Sequence, residues 1–211
     1  MIIAIKKIIK NSEKIDTVLL SYWILYTVVF LALENREVKY HIIESSLDKY
    51  IPFNSLFVIP YVFWFFYVGI SLIYTFIKHK AIFRKQMLYI IVGYSICLVS
   101  YIVYPNMQIM RPEVLGTSIF DKVVNFIYSI DTNTNVCPSI HVVGSIIIMY
   151  SMNQANIFKK NYLKIINFIV CALICSSTLF LKQHSFIDLS MGIVVSYIAY
   201  IVVKQIDVSK L

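Results

Sequence analysis

The chain has 211 residues, 59% of them apolar and 14% charged, against roughly 45–50% and about 25% in ordinary soluble domains. Apolar runs of near-spanning length recur from Ile15 to Val203. They exclude a soluble globule with one buried core and point to membrane helices, since an open sheet in lipid leaves its edge amides unpaired. The net charge of +8 does not signal nucleic acid: the cations sit in short clusters between apolar runs, where they set topology and meet anionic lipid heads.

In chain order, the N-terminal stretch MIIAIKKIIKNSEK alternates apolar and basic residues without a small-residue cleavage site. It reads as an interfacial segment rather than a cleavable signal. Six helical spans are then predicted, at 15–34, 56–77, 87–104, 140–157, 165–181 and 187–204, with the fourth and fifth near the short limit. Pro60 is expected to kink the second span or to sit near its start. The expected fold is all-α: a polytopic membrane helical bundle forming a single integral membrane domain, residues 1–211. Counting Lys and Arg on alternate sides gives thirteen against six, which predicts that both termini are cytoplasmic. Connections 35–55, 105–139 and 182–186 then lie outside. The first has apolar and charged residues in helical alternation and is expected at the interface. The second carries an amphipathic stretch, IFDKVVNFIYSI, before DTNTNVCPSIH; a loop this long in a compact protein is usually functional or disordered, and its aromatic and aliphatic content favours order.

Three of the four cysteines, Cys97, Cys171 and Cys175, fall inside apolar spans, and only Cys137 lies in a loop. With no CxxC, they read as buried small hydrophobes rather than redox or disulfide groups.

Ionisable groups at membrane depth are costly, so each needs a reason. Arg111, His141, His184 and Asp188 come from separate helix ends or loops, yet the predicted topology puts all four at one water–lipid level. His184 and Asp188 are spaced i, i+4, so the carboxylate can fix one imidazole nitrogen and leave the other nucleophilic. Alone, such a pair reads as a local structural hydrogen bond. His141 follows Pro138-Ser139 at the predicted head of the fourth span; a helix N-terminus bearing a hydroxyl and an imidazole suits an anion, although alone it reads as a cap. Arg111, before Pro112, can hold phosphate oxygens bidentately, or can be a snorkelling interface arginine, as can Lys182. Asp131 and Asn135 read as loop-capping groups.

Together these residues resemble the motifs of the phosphatidic acid phosphatase type 2 superfamily of metal-independent membrane lipid phosphatases. The resemblance covers residues 104–188. The family's Lys-x6-Arg-Pro reads here as Tyr104-PNMQIM-Arg111-Pro112, its Pro-Ser-Gly-His as Pro138-Ser139-Ile140-His141, and its Ser-Arg-x5-His-x3-Asp as Ser177-Thr178-LFLKQ-His184-SFI-Asp188. Order and spacing match in all three. Tyr104 and Thr178 stand where the family carries cations, and Lys182 is expected to supply a replacement charge. The run STLFLKQHSFID is also similar to the third-motif region of the transferase branch, which includes the inositol phosphorylceramide synthases.

The resemblance implies hydrolysis of a lipid phosphomonoester or pyrophosphate on the extracytoplasmic side. His184 is then the nucleophile that forms a phosphohistidine, Asp188 orients it, and His141 protonates the leaving group. Arg111, Ser139 and Lys182 hold the phosphate, with no metal and no cofactor. The implied partners are a membrane lipid phosphate and the bilayer; the sequence fixes no oligomeric state. Transfer of a phospho-headgroup between lipids is the alternative enzymatic reading, and a small transporter or lipid-binding membrane protein the non-enzymatic one. The Ile-, Lys-, Asn- and Tyr-rich composition suggests an AT-rich genome and a bacterial plasma membrane.

Overall fold

The computed structural model describes residues 14–113, 116–155 and 157–206. The interfacial segment expected before Lys14 lies outside them. Seven α-helices are found among the described residues: α1 (Lys14–Glu34), α2 (Val58–Lys78), α3 (Lys80–Val103), α4 (Ile119–Ile130), α5 (Ile140–Gln154), α6 (Asn161–Phe180) and α7 (Phe186–Lys204). Two short strands, β1 (His41–Ile42) and β2 (Asn106–Met107), pair in parallel. Five helices are long and apolar enough to cross a bilayer: α1, α2 with its preceding turn, α3, α6 and α7. This is the architecture of an integral membrane protein.

The fourth predicted span, 140–157, is α5, and it has only 15 residues, about 22 Å of helix against a hydrocarbon core of about 30 Å. It is largely enclosed by its neighbours: it packs against α2, α3, α6 and α7, and Val142, Val143 and Ile148 are wholly buried. Two glycines let its neighbours close on it. A Cβ at Gly93 of α3 would lie 2.8 Å from Val143, and one at Gly192 of α7 would lie 2.8 Å from Val142. Small residues at such crossings let helix backbones approach in lipid, where packing rather than hydrophobicity drives association. Buried hydrogen bonds tie the same helix sideways. Thr75 of α2 donates to Gln86 of α3 (2.6 Å), and Gln86 donates to Ser151 of α5 (3.0 Å).

The third helix begins at Lys80, seven residues before the predicted 87, because its basic first turns are helical too. Lys80 Nζ and Arg84 Nε approach the fully buried Asp16 carboxylate of α1 at 2.7 and 2.8 Å. Charges that read as a loop therefore pin one end of the bundle. Pro60 sits in the first turn of α2, where its missing N–H costs nothing.

At the opposite end the connections fold over the helix ends. Segment 35–55, whose residues alternate with helical period and were expected at the interface, is largely irregular apart from β1 and a 3-10 turn at Asp48–Tyr50. His41 N–H donates to Pro105 O (2.9 Å) and Ile43 N–H to Met107 O (2.8 Å). Asn106 then fastens the third-helix exit to the stretch before α5. Its Oδ1 accepts from the amides of Val136 and Cys137, both at 2.8 Å, and its Nδ2 donates to Cys137 O at 3.0 Å. Asn106 is fully buried, and each orphaned partner costs about 1–3 kcal/mol. Asn106→Ala is therefore expected to lower the midpoint of thermal unfolding in detergent by several degrees; an unchanged midpoint contradicts this role.

Candidate functional site

Helix α7 starts with a capping box. Asp188 reaches back to the Ser185 amide (2.8 Å), and the same Oδ2 lies 3.3 Å from His184 Nδ1. A carboxylate placed to cap a helix thus also fixes the imidazole two residues before it, and with the proton on Nδ1 the second ring nitrogen is left as the basic atom. Asp48, from the connection after α1, completes the cap: it accepts from Ser185 Oγ (2.6 Å) and the Phe186 amide (2.8 Å).

His141 lies in the first turn of α5. Its ring packs between Tyr61 and Trp64 of α2, with centroids at 4.6 and 4.4 Å, and meets the His184 ring edge-on at 5.7 Å. Neither ring nitrogen of His141 has a hydrogen-bond partner. Ser139 occupies the N-cap position, but its side chain makes no capping bond, and its buried hydroxyl is also without a partner. Its amide donates to Asp188 O at 3.1 Å, which ties the starts of α5 and α7 together.

Arg111 is brought to the same end. Nη1 donates to the carbonyls of Asp131 (2.9 Å) and Tyr128 (3.3 Å), Nη2 to Thr132 O (2.8 Å) and to Gln183 Oε1 (2.5 Å). The guanidinium also lies over the Tyr128 ring, 4.4 Å from its centroid. It therefore closes the C-terminus of α4 and reaches the residue next to His184, while its buried Nε and Gln183 Nε2 remain without partners. Burial pulls the guanidinium down from the usual arginine range, against the pull of the Asp131 carboxylate.

The structure does not bring Lys182 to the histidines. With φ at 51° the backbone turns there, and the ammonium donates to Asp48 O (2.9 Å) and Ile51 O (2.5 Å). The charge expected to hold phosphate holds a neighbouring loop instead. Tyr104 is half exposed and stacks on His41, with centroids 4.2 Å apart. Thr178 is buried, and its carbonyl accepts the amides of Gln183 and His184 at 3.0 and 3.1 Å. Neither position offers a cation.

Four residues beside the histidines gave little sign of themselves in the sequence. Tyr61 and Trp64 look like ordinary core aromatics of an apolar span; only their three-residue spacing puts them on one face. Asp131, read as a capping group, is the C-cap residue of α4 and also accepts from Tyr61 Oη at 3.3 Å. Burial raises its carboxyl above the usual range, with Arg111 and His184 acting against that rise. Gln183 has no signature at all. Cys137 lies beside the Asp188 carboxylate, and burial pushes its thiol up to about 12, so it stays protonated at neutral pH.

The arrangement is thus an imidazole held by a carboxylate, a second imidazole facing it, and buried unpartnered polar groups from three segments. No family model matches the chain, and no curated protein or solved structure matches it either.

Proposed function

We propose that the chain is a membrane lipid phosphatase of the phosphatidic acid phosphatase type 2 kind. One observation carries this reading. Ser139 Oγ, the His141 ring, Arg111 Nε and Gln183 Nε2 are buried polar groups without partners at the end of the bundle that holds the His184–Asp188 pair. Unpaired buried donors cost free energy and call for an acceptor, and a phosphate offers several oxygens at once. The first-turn amides of α5 add donors of the same kind.

In this scheme the free ring nitrogen of His184 attacks phosphorus, and the bond from phosphorus to the lipid oxygen breaks. His141 gives its proton to that oxygen; negative charge on the bound phosphate favours the protonated imidazole. Water then attacks the phosphohistidine, losing a proton to His141, and inorganic phosphate leaves. Asp188 keeps His184 in one tautomer throughout, while Arg111 and Ser139 stabilise charge on the non-bridging oxygens, usually the largest catalytic contribution.

The count of Lys and Arg on alternate sides of the sequence, thirteen against six, supports an extracytoplasmic position for the chemistry. The same reading makes α5 a sixth, protein-buried crossing and puts both termini in the cytoplasm of a bacterial cell. A phosphate-release assay over a panel of lipid phosphates in detergent tests it. Release should persist in chelator; activity that vanishes there and returns with magnesium contradicts the scheme.

One observation favours transfer as the second reading. A polar cavity of about 610 Å3, lined by Glu44, Ser45, Asp48, Lys49 and Lys182 among others, adjoins the segment leading to His184. It has the mixed charge to seat the headgroup of an accepting lipid alcohol. A new lipid product in place of inorganic phosphate decides for it.

A further inference from the structure

Helices α5 and α7 start beside the histidines and α3 ends there, so the last turns of α5 and α7 and the first turns of α3 share the opposite end of the bundle. Between them at that end opens a cavity of about 390 Å3. Four tyrosines line it: Tyr89 of α3, Tyr150 of α5, and Tyr197 and Tyr200 of α7. Three of the rings interlock, Tyr150 meeting Tyr200 edge-on at 5.0 Å and Tyr89 edge-on at 6.1 Å between centroids. Tyr197, 63% exposed, stands at the side that opens outward from the bundle.

The chemistry of this cavity changes in order along the bundle. Tyr89 is only 2% exposed, and its hydroxyl has no hydrogen-bond partner. A buried O–H in a cavity wall is costly until an acceptor arrives. One helical turn nearer the bundle end, each of two tyrosines has a lysine: Lys85 before Tyr89 on α3, and Lys204 after Tyr200 on α7. The Lys204 ammonium lies 5.7 Å from the centre of the Tyr200 ring, and Lys85 and Lys204 both bear electrostatically on the Tyr200 hydroxyl. Two cations therefore flank one mouth, and neither forms an ion pair among the described residues. In the other direction, deeper in the bundle, the lining turns to hydrocarbon at Ile146, Ile147 and Ile193. Ser196 lines the cavity as well, but its hydroxyl is already spent on Gly192 O at 2.7 Å.

A complementary ligand carries an anion, then a hydrogen-bond acceptor about one turn deeper, roughly 5–6 Å, then hydrocarbon. A glycerophospholipid has that order in its phosphate, ester carbonyl and acyl chain. We propose that this cavity binds one anionic glycerophospholipid of the adjoining leaflet. Its phosphate sits between Lys85 and Lys204, an ester carbonyl accepts from Tyr89 Oη, and the first part of one acyl chain lies on Ile146 and Ile193. A zwitterionic lipid can bury the same chain but brings a cation toward the two ammoniums, so the site selects net negative charge. The site lies at the far end of the bundle from His141 and His184, and it stands whether or not those residues carry phosphoryl chemistry.

The test titrates the full chain in detergent with dioleoyl phosphatidylglycerol and, separately, with dioleoyl phosphatidylcholine, and counts bound lipids by native mass spectrometry. One phosphatidylglycerol is expected to bind about tenfold or more tightly than any phosphatidylcholine. The double variant Lys85→Gln/Lys204→Gln should erase that preference. Lys159→Gln/Lys160→Gln removes the same charge from the same end of the bundle and should keep it. Tyr89→Phe deletes a hydroxyl that no protein group uses, so the thermal midpoint of the lipid-free protein should hold while affinity for phosphatidylglycerol falls about threefold or more. Ile146→Trp, which fills the cavity from another helix, should lower that affinity further. Equal affinity for the two lipids, equal loss in the two lysine pairs, or an affinity that neither Tyr89→Phe nor Ile146→Trp lowers overturns the proposal.

Discussion

His184→Ala is expected to abolish release of phosphate from a lipid phosphate, by at least about a thousandfold, since it removes the atom we propose as the nucleophile. The fold should survive. Asp188 keeps its bond to the Ser185 amide, and Asp48 keeps those to Ser185 Oγ and the Phe186 amide, so the start of α7 stays capped without the imidazole. The combination of a dead enzyme with an unchanged thermal midpoint is the signature of a chemical rather than a structural role. His184→Ala protein that is well folded and fully active contradicts the nucleophile assignment.

Arg111→Ala should strike twice. The guanidinium satisfies the carbonyls of Tyr128, Asp131 and Thr132 and holds Gln183 beside His184. Its loss uncaps α4 and releases the cover of the site, costing about 2–3 kcal/mol of stability, comparable to one or two buried unpaired groups. Activity should fall further than stability does, by about two orders of magnitude, because in the proposed scheme the phosphate loses the donor that Arg111 supplies to its non-bridging oxygens. Arg111→Lys should rescue neither property well: an ammonium cannot span three carbonyls and a side-chain amide from one plane. Thermal melts and phosphate release on both variants check this; full rescue by Lys reduces Arg111 to a point charge.

The helical bundle was largely legible in the amino-acid sequence because lipid imposes long apolar runs, and α1, α2, α6 and α7 begin and end within a few residues of the expected limits. Where the reading failed, a tertiary partner had changed the meaning of a residue. Lys80 and Arg84 read as loop cations and became helical by pairing with Asp16. The stretch 35–55 has helical alternation, yet the backbone of its residues 41–43 is claimed by residues 105–107. The His184–Asp188 contact was suggested by the i, i+4 spacing, but His184 precedes the helix and meets Asp188 because the capping box turns that carboxylate back on the Ser185 amide; the approach of His141 followed from the motif spacing. The destination of Lys182 was not visible: a single left-handed residue aims its ammonium at another connection. Tyr61 and Asp131 were hidden for the reverse reason, since their meeting joins positions 70 residues apart that no local pattern links.

The central claim is that His184 carries the phosphoryl group between donor and acceptor. Millisecond incubation of the wild-type protein with a lipid phosphate radiolabelled in its phosphate group, quenched in alkali, tests it directly. An acid-labile, alkali-stable adduct should form before inorganic phosphate is released and map to His184, and the His184→Ala protein should form none. An adduct on any other side chain, or turnover with no histidine-bound phosphate at any time, contradicts the account.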